Sequence, residues 1–347
     1  NPVRIPTVSA QKSRILAIIG QGYVGLPLAM AAVDGGWTVL GIDIFASKVA
    51  EINSGRSPVE DISDAQLAAA LANGSYKATT DFSTVTQASV ITLCVPTPLD
   101  DKREPDLSLL ERATKAIAPF ISNETLIVSE STSYPGTLRD VIVPIVDSLK
   151  PKESTNLYFA SAPERVNPGD EVWNQKNTPR LVGALNSESQ TKALSFYQTI
   201  CDAVVSVSTP EIAEAAKILE NTFRLVNIAL VNEFTRLCIV AGINVHEVID
   251  AASSKPYGFM PFRPGVGVGG HCIPVYPWLY MKSLGVNPLI YEARKVNDEI
   301  TNFYLEKLSA RVPLHGQNVV IYGLAYREGV KESAFSGAFT LKKLLEE

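Results

Sequence analysis

Short apolar runs alternate with longer stretches of helical periodicity between Arg14 and about Ser208. Apolar runs of this length predict buried strands. Continuous apolar strands separated by helices are typical of a parallel sheet that is covered on both faces. We therefore predict a doubly wound, Rossmann-type α/β domain over residues 14–208. Its main predicted strands are ILAIIG, WTVLGID, SVITLCVP, TLIVSE and LYFASAP.

The pattern changes at Pro210, where helical periodicity begins and runs without a break to Ala241. Thr209 suits the N-cap of this helix, Pro210 its first turn and Gly242 its C-terminal stop. A helix this long exceeds the usual three to four turns and often bridges domains or pairs subunits. We predict an all-helical central domain over residues 209–312, and a homodimer formed through the long helix.

Residues 313–347 return to an α/β pattern, with the strand-like run NVVIYGLAY followed by a helix from about Gly337. We interpret this region as the start of a C-terminal α/β domain. Because it holds a single strand and a single helix, the domain is either very short or truncated, and the chain is then a fragment.

Charge and cysteine usage exclude several classes of protein. The net charge of −5 disfavours a nucleic-acid-binding surface. The four cysteines and three histidines are widely separated, so neither a disulfide framework nor a metal centre is expected. No apolar run is long enough to cross a membrane, and the N-terminus lacks the apolar core of a signal peptide. We expect a cytoplasmic protein.

The sequence GQGYVG spaces Gly20, Gly22 and Gly25 as in a dinucleotide-binding turn. Its position between a predicted strand and a predicted helix is the context that this motif requires. Asp43 ends the second strand, where a carboxylate accepts hydrogen bonds from a ribose diol and repels a 2′-phosphate. The sequence therefore favours NAD over NADP, and the alternative is a tight turn without a ligand.

The sequence GVGVGGHC places Cys272 at the end of a glycine-rich loop. Glycines allow a backbone to approach a bulky ligand closely, and a thiol in such a loop is accessible for covalent chemistry. Cys94, Cys201 and Cys238 lie in apolar or helical patterns and are interpreted as inert core thiols. A purely structural cysteine in the loop is the alternative.

Other polar candidates lie at strand ends and on the long helix. Lys217, Asn221 and Arg224 follow helical spacing and share one face, unless that face is merely solvated. The carboxyl ends of predicted parallel strands carry further candidates, because ligands of α/β sheets bind there. These are Thr97, Thr132 and the pair Glu164 and Arg165, for which a surface ion pair is an equal alternative.

Seven ordered motifs give the chain a family resemblance from about Arg14 to its end. They are GQGYVGLPLA, VPTPLD with REPD, ESTSYPGT, APERVNPG, KILENTFRLVNIALVNE, GVGVGGHCIPV, and GLAYRE with KES. The chain resembles the UDP-glucose/GDP-mannose dehydrogenase family of four-electron, NAD-dependent nucleotide-sugar dehydrogenases. EST and PERVNPG are similar to the branch that acts on UDP-N-acetylhexosamines, especially UDP-N-acetylmannosamine, in polysaccharide biosynthesis.

The resemblance implies roles for individual residues. Cys272 matches the nucleophile, Lys217 the general acid/base, Asn221 an amide that stabilises oxyanions, Glu164 a carboxylate in thioester hydrolysis, and Thr132 a water-positioning hydroxyl. Expected cofactor contacts are Gly20, Gly22, Tyr23, Val24, Gly25, Asp43, Lys48, Thr97 and Thr132. Expected substrate contacts are Arg165, Val166, Lys217, Asn221, Arg224, Arg263, Gly269 and Arg327.

Two departures from the family pattern bear on activity. Many members carry an aspartate four residues after the nucleophile, where this chain has Tyr276. The third domain, which helps to hold the uridine diphosphate, is mostly absent. The alternatives are therefore a UDP-N-acetylglucosamine or UDP-glucose dehydrogenase, a two-electron hydroxyacid-type dehydrogenase, and a catalytically impaired NAD-binding protein.

Overall fold

A computed structural model describes residues 14–166, 172–284, 288–326 and 333–347, with the backbone alone for 280–284 and 288. The described chain divides into two units. The first unit holds the described residues up to Pro98 together with Asp106–Lys217. The second unit holds Leu99–Pro105 and the described residues from Ile218 onward.

The first unit is built on one eight-stranded sheet with the order β3-β2-β1-β4-β5-β6-β7-β8. Neighbouring strands run parallel, except that β6 and β7 are antiparallel. The strand order reverses between β1 and β4, which is where ligands bind in open α/β sheets. The strands are β1 (Ile15–Ile19), β2 (Thr38–Ile42), β3 (Tyr76–Thr79), β4 (Val90–Leu93), β5 (Leu126–Ser129), β6 (Tyr158–Ser161), β7 (Arg180–Ala184) and β8 (Val204–Val207).

Helices cover both faces of this sheet. Successive residues of a strand point to opposite faces, so Leu16 and Ile18 join one apolar core while Ala17 and Ile19 join the other. The first core is closed by α1 (Gly25–Asp34), α2 (Ala46–Asn53), α3 (Asp64–Ala72) and α6 (Ser187–Tyr197). The second core is closed by α4 (Ser108–Ile117), a π-helical turn (Leu138–Ile142) and α5 (Val143–Leu149). The predicted Rossmann-type architecture is confirmed.

The second unit is helical. It contains most of α7, which begins in the first unit, and its packing is carried by small apolar clusters that join α7 to α10 and α7 to α8. Gly242 follows α7 with a φ of 70°, a conformation that glycine adopts without strain. The predicted bounds of the long helix are confirmed. The helices are α7 (Pro210–Ala241), α8 (Val245–Ser253), α9 (Cys272–Leu284), α10 (Pro288–Ser309) and α11 (Gly337–Glu346).

Several strands differ from the expectations. The sequence analysis did not identify β3, β7 or β8, which are short and each contain at least one polar residue. The strand expected within NVVIYGLAY is not formed, and Val320 and Tyr322 lie exposed. A strand needs a hydrogen-bonded neighbour, and none of the described strands pairs with this segment.

A buried ion pair lies at the carboxyl edge of the sheet. Glu130 directly follows β5, and its carboxylate lies 2.9 Å from the guanidinium of Arg180. The Tyr197 hydroxyl donates to the other carboxylate oxygen at 2.5 Å, and Arg180 donates to the side chain of Gln175 at 2.5 Å. Burial raises the pKa of Glu130, while Arg180 and Tyr197 oppose that shift. Because both side chains are buried, the charges of Glu130 and Arg180 are compensated by these protein groups and not by solvent.

We expect Arg180→Ala to destabilise the protein by about 3–5 kcal/mol, because it leaves the Glu130 carboxylate buried without a counter-charge. Denaturant unfolding measures this loss. Arg139→Ala is the matched control, since Arg139 forms an exposed pair with Glu211 and its removal should cost about 1 kcal/mol or less. Equal losses in the two variants would contradict the assignment.

Candidate active site

The glycine turn after β1 combines tight packing with an open backbone position. Gly20 has a φ of 96°, and a Cβ built there would lie 2.5 Å from the Cys94 carbonyl oxygen. A Cβ at Gly25 would lie 1.8 Å from the Gly20 carbonyl oxygen, whereas a Cβ at Gly22 meets nothing within 4 Å. The fold thus requires the outer two glycines, and the middle one leaves its backbone accessible.

The start of α1 completes this turn. Val24 is the N-cap residue, and no side chain caps the helix. The N-terminus of an uncapped helix is a favourable place for a phosphate group. Tyr23 is 40% exposed beside it. These features fit the pyrophosphate of a dinucleotide.

Asp43 lies beyond the carboxyl end of β2 and accepts three hydrogen bonds. The donors are the Gln21 backbone N–H at 2.9 Å, the Phe45 backbone N–H at 3.1 Å and the Lys48 ammonium at 2.8 Å. The carboxylate is therefore fixed next to the glycine turn, as recognition of a ribose diol requires. The sequence analysis placed Lys48 with the cofactor but missed its ion pair with Asp43, although the five-residue spacing onto the following helix was visible.

The loops after β4 and β5 are tied together at the same edge. Thr97 and Thr132 are both buried, and the Thr97 hydroxyl donates to the Thr132 carbonyl oxygen at 2.5 Å. The Ser131 hydroxyl accepts from the Val95 backbone N–H at 3.0 Å and donates to its carbonyl oxygen at 2.7 Å. The two predicted threonines are therefore brought together by the fold.

Glu164, Arg165 and Val166 follow β6, the neighbour of β5. The Glu164 carboxylate accepts a hydrogen bond from the Val166 backbone N–H, and the Glu164 N–H donates to the Glu130 carbonyl oxygen at 3.4 Å. Arg165 donates to the Pro179 carbonyl oxygen at 2.8 Å. The structure thus places Glu164 and Thr132 after adjacent strands, at one edge of the sheet.

The polar residues of α7 differ in their environments. Lys217 is 8% exposed, Asn221 is half-buried and Arg224 is exposed. The interpretation as a solvated helix face therefore fits Arg224 but not Lys217, because burial of an amine is costly unless a partner compensates for it.

Cys272 is the first residue of α9 and is exposed, whereas Cys201 and Cys238 are buried and Cys94 is half-buried. The positive end of the α9 dipole lies at this position. Burial raises the pKa of the Cys94 and Cys201 thiols, which disfavours the nucleophilic thiolate at those sites. Among the four cysteines, Cys272 has the access and the electrostatic setting of a nucleophile.

The glycines before Cys272 have a packing role. A Cβ at Gly269 would lie 2.4 Å from the Tyr326 Cβ, and Gly270 has a φ of 79°. The Gly270 N–H also donates to the Ala334 carbonyl oxygen at 2.8 Å. The sequence analysis expected Gly269 to contact the substrate. In the structure, Tyr326 makes the close approach to this glycine.

The remaining substrate candidates are less informative. Arg263 is exposed and donates to Asp250 on α8 at 2.5 Å. Tyr276, at the position of the family's aspartate, lies half-buried on α9, one turn after Cys272. Arg327 lies outside the described residues.

The described residues contain neither a membrane-spanning helix nor a metal-binding cluster. No helix among them is long and apolar enough to cross a membrane. No group of three or more His, Cys, Asp or Glu residues in this part of the chain is arranged to hold a metal ion.

Comparison with known proteins identifies two domain models in the chain. The model of the UDP-glucose/GDP-mannose dehydrogenase family, NAD binding domain, matches residues 14–201, and that of the family's central domain matches residues 211–299. The first match assigns NAD as the cofactor.

Individual relatives are similar over nearly the whole chain. A UDP-N-acetyl-D-mannosamine dehydrogenase of Methanocaldococcus jannaschii is 34% identical over 96% of this chain and 77% of its own length. A UDP-N-acetyl-D-glucosamine 6-dehydrogenase of Pseudomonas aeruginosa is 33% identical over 90% of this chain and 75% of its own length. The structure of the UDP-D-ManNAc dehydrogenase of Pyrococcus horikoshii matches with a TM-score of 0.88 and 32% identity, covering 96% of this chain and 81% of that one.

We expect Asp43→Asn to weaken NADH binding by roughly tenfold or more, on the scale of one charge-assisted hydrogen bond, and to improve NADPH binding. The substitution removes the repulsion of a 2′-phosphate and releases the Lys48 ammonium to attract one. Fluorescence titration with both nucleotides measures the change.

The double variant Asp43→Asn/Lys48→Ala is the matched control, and it should lose the gain in NADPH affinity. An unchanged ratio of NADH to NADPH affinity in Asp43→Asn would contradict the role assigned to the carboxylate.

Proposed function

Because the chain belongs to the UDP-glucose/GDP-mannose dehydrogenase family, we propose that this NAD-dependent dehydrogenase oxidises the C6 alcohol of a UDP-N-acetylhexosamine to the carboxylate. The preferred substrate in this proposal is UDP-N-acetylmannosamine. The observation that carries the proposal is the exposed Cys272 at the start of α9. A two-electron alcohol dehydrogenase has no need for such a thiol.

The proposed chemistry consists of two oxidations and one hydrolysis. When bound, NAD accepts the hydride that leaves C6 in each oxidation. Lys217 accepts the proton of the C6 hydroxyl, and its ammonium and the Asn221 amide donate hydrogen bonds to the C6 oxygen as negative charge develops there. The near-complete burial of Lys217 supports this role, since electrostatic interactions are stronger away from water.

Covalent catalysis links the two oxidations. The Cys272 thiolate adds to the aldehyde carbon, and a C–S bond forms as the carbonyl oxygen gains a proton. Oxidation of this thiohemiacetal leaves a thioester. Glu164 then takes a proton from a water that Thr132 orients, and the water attacks the thioester carbon. The C–S bond breaks to release the thiolate and the carboxylic acid, which loses its remaining proton to solvent.

The choice of sugar rests on sequence similarity. The relatives named above act, by name, on UDP-N-acetylmannosamine and UDP-N-acetylglucosamine, and the EST and PERVNPG motifs resemble the same branch.

We also propose a division of the chain into three domains, residues 14–208, 209–312 and 313–347, which the extents of the two family models support. We place the reaction in the cytoplasm, whose reducing conditions suit free cysteines.

We further propose a homodimer through α7. Five large apolar residues recur along this helix at intervals of four, seven, four and three, so that they share one stripe. A stripe of this kind on an otherwise polar surface is typical of a protein–protein interface. Its members, all exposed, are Leu219, Phe223, Leu230, Phe234 and Leu237.

We expect Leu230→Glu/Leu237→Glu to convert a dimer into a monomer, because it places four carboxylates in an apolar seam. Sedimentation velocity measures the change. Glu247→Lys, on the exposed surface of α8, is the control and should leave the mass unchanged. A wild-type protein that sediments as a monomer would refute the dimer.

The covalent route predicts the stoichiometry of the reaction. The wild-type protein should form two NADH per substrate consumed and release a uronic acid. Cys272→Ala should abolish uronate formation while NADH binding stays intact, because the thioester cannot form. Cys94→Ala is the control and should retain both NADH equivalents. NADH absorbance and product mass provide the readouts, with UDP-N-acetylmannosamine, UDP-N-acetylglucosamine and UDP-glucose as the panel.

The result that favours the two-electron alternative is one NADH per substrate, a free aldehyde or ketone as product, and no effect of Cys272→Ala.

A further inference from the structure

A buried carboxylate outside the proposed catalytic set connects α7 to the loop after β5. Glu214, on α7, is 1% exposed. Its two carboxylate oxygens accept hydrogen bonds from different backbone groups, the Gly136 N–H at 2.7 Å and the Leu138 N–H at 3.1 Å. One side chain thus binds both the end of the loop and the first residue of the π-helical turn.

Burial of this carboxylate is costly. The pKa of Glu214 is raised to about 8, and burial is the largest cause. The negative charges of Glu211 and Asp140 also raise this pKa, whereas the N–H groups of Gly136 and Leu138 lower it. Burial therefore disfavours the ionised form of Glu214 even with both N–H groups facing it, and loss of either hydrogen bond would leave a buried carboxyl oxygen without its donor.

The loop that Glu214 holds contains Thr132. At the start of the loop, the Thr132 carbonyl oxygen accepts from Thr97 at 2.5 Å. At its end, the Thr137 backbone N–H and hydroxyl both donate to the Tyr134 carbonyl oxygen, at 3.1 and 2.7 Å. Glu214 binds the backbone at Gly136, within this last turn, and at Leu138, just after it. The loop is therefore fixed both by its own hydrogen bonds and by α7.

Helix geometry connects the same carboxylate to Lys217. Residues three apart in an α-helix are neighbours on one face, with a rise of roughly 4.5 Å between them. Glu214 and Lys217 have this spacing within α7, and both are buried. The same turn of α7 therefore carries the Lys217 amine and, through Glu214, binds the backbone next to the Thr132 loop.

We propose that Glu214 is a positioning residue that fixes the Lys217 amine relative to the Thr132 loop. The proposal rests on the proposed function for the roles of Lys217 and Thr132. Glu214 itself touches neither substrate nor cofactor in this account, and acts through the loop backbone and the helix.

The decisive variant is Glu214→Gln in the full chain. It preserves the shape of the side chain but turns an N–H donor of its own toward one of the two backbone N–H groups. We expect kcat to fall by roughly ten- to a hundredfold, the scale of a misplaced catalytic group, while the KM for NAD changes by less than about threefold. Lys217→Ala provides the reference for complete loss of the amine.

Glu211→Gln is the matched control, because Glu211 lies one turn earlier on α7 and forms an exposed pair with Arg139. Its kcat should stay within about twofold of the wild type. A Glu214→Gln protein that also stays within about twofold overturns the proposal. If Glu214→Gln shows no cooperative melting transition, the same criterion is applied to Glu214→Asp, which keeps the carboxyl group on a shorter side chain.

Two measurements without substrate separate this proposal from the proposed function. Hydrogen exchange at the amides of Gly136 and Leu138 should accelerate in Glu214→Gln, and the labelling rate of Lys217 by trinitrobenzenesulfonate, read by mass spectrometry, should rise. Unchanged exchange and labelling overturn the positioning role even if the wild type is active. Wild-type protein without activity on the UDP-sugar panel refutes the proposed function, and the labelling result still decides the positioning of Lys217.

Discussion

The buried ion pair between Glu130 and Arg180 is the constraint on which the carboxyl edge of the sheet depends. Glu130 directly follows β5, and Arg180 begins β7. Because β7 runs antiparallel to β6, its first residue lies at the edge where the parallel strands end. The reversed direction of β7, which β8 shares, therefore delivers a cation to the edge that carries Thr132 and Glu164. A sheet of parallel strands alone would have placed this arginine at the opposite edge.

The sequence predicted the parts of the structure that repeat a simple period. The strands next to the switch point are short, mainly apolar runs, and α7 has an unbroken helical period with clear terminal signals, so local sequence patterns located both. It did not reveal β7, whose sequence RLVGA begins with the buried arginine. In a sequence pattern, a charged residue at this position indicates a solvent-exposed segment and not a buried strand. The compensating Glu130 is 50 residues away in the chain, and such a pairing exists only once the fold is formed.

The candidate site shows the same division between local and distant information. Gly20, Gly25 and Asp43 were found because their spacing follows from one βαβ unit. The contacts that fix the site were not found, among them Lys48 on Asp43 and Glu214 on the loop after Thr132. Glu214 appears in the sequence as the second of two glutamates near the start of an ordinary helix. Only the approach of the Gly136 and Leu138 N–H groups distinguishes it from Glu211.

The uninterrupted course of α7 has a consequence for how this sequence can vary in evolution. Each residue of an α-helix advances the direction of the next side chain by roughly 100°. A single insertion or deletion between Glu214 and Leu219 would therefore turn the apolar stripe away from its alignment with the buried polar residues that precede it. Loops absorb such changes in length, but a continuous helix converts them into rotation. Within α7, substitutions are thus open to selection one at a time, whereas a change in length alters every later position at once.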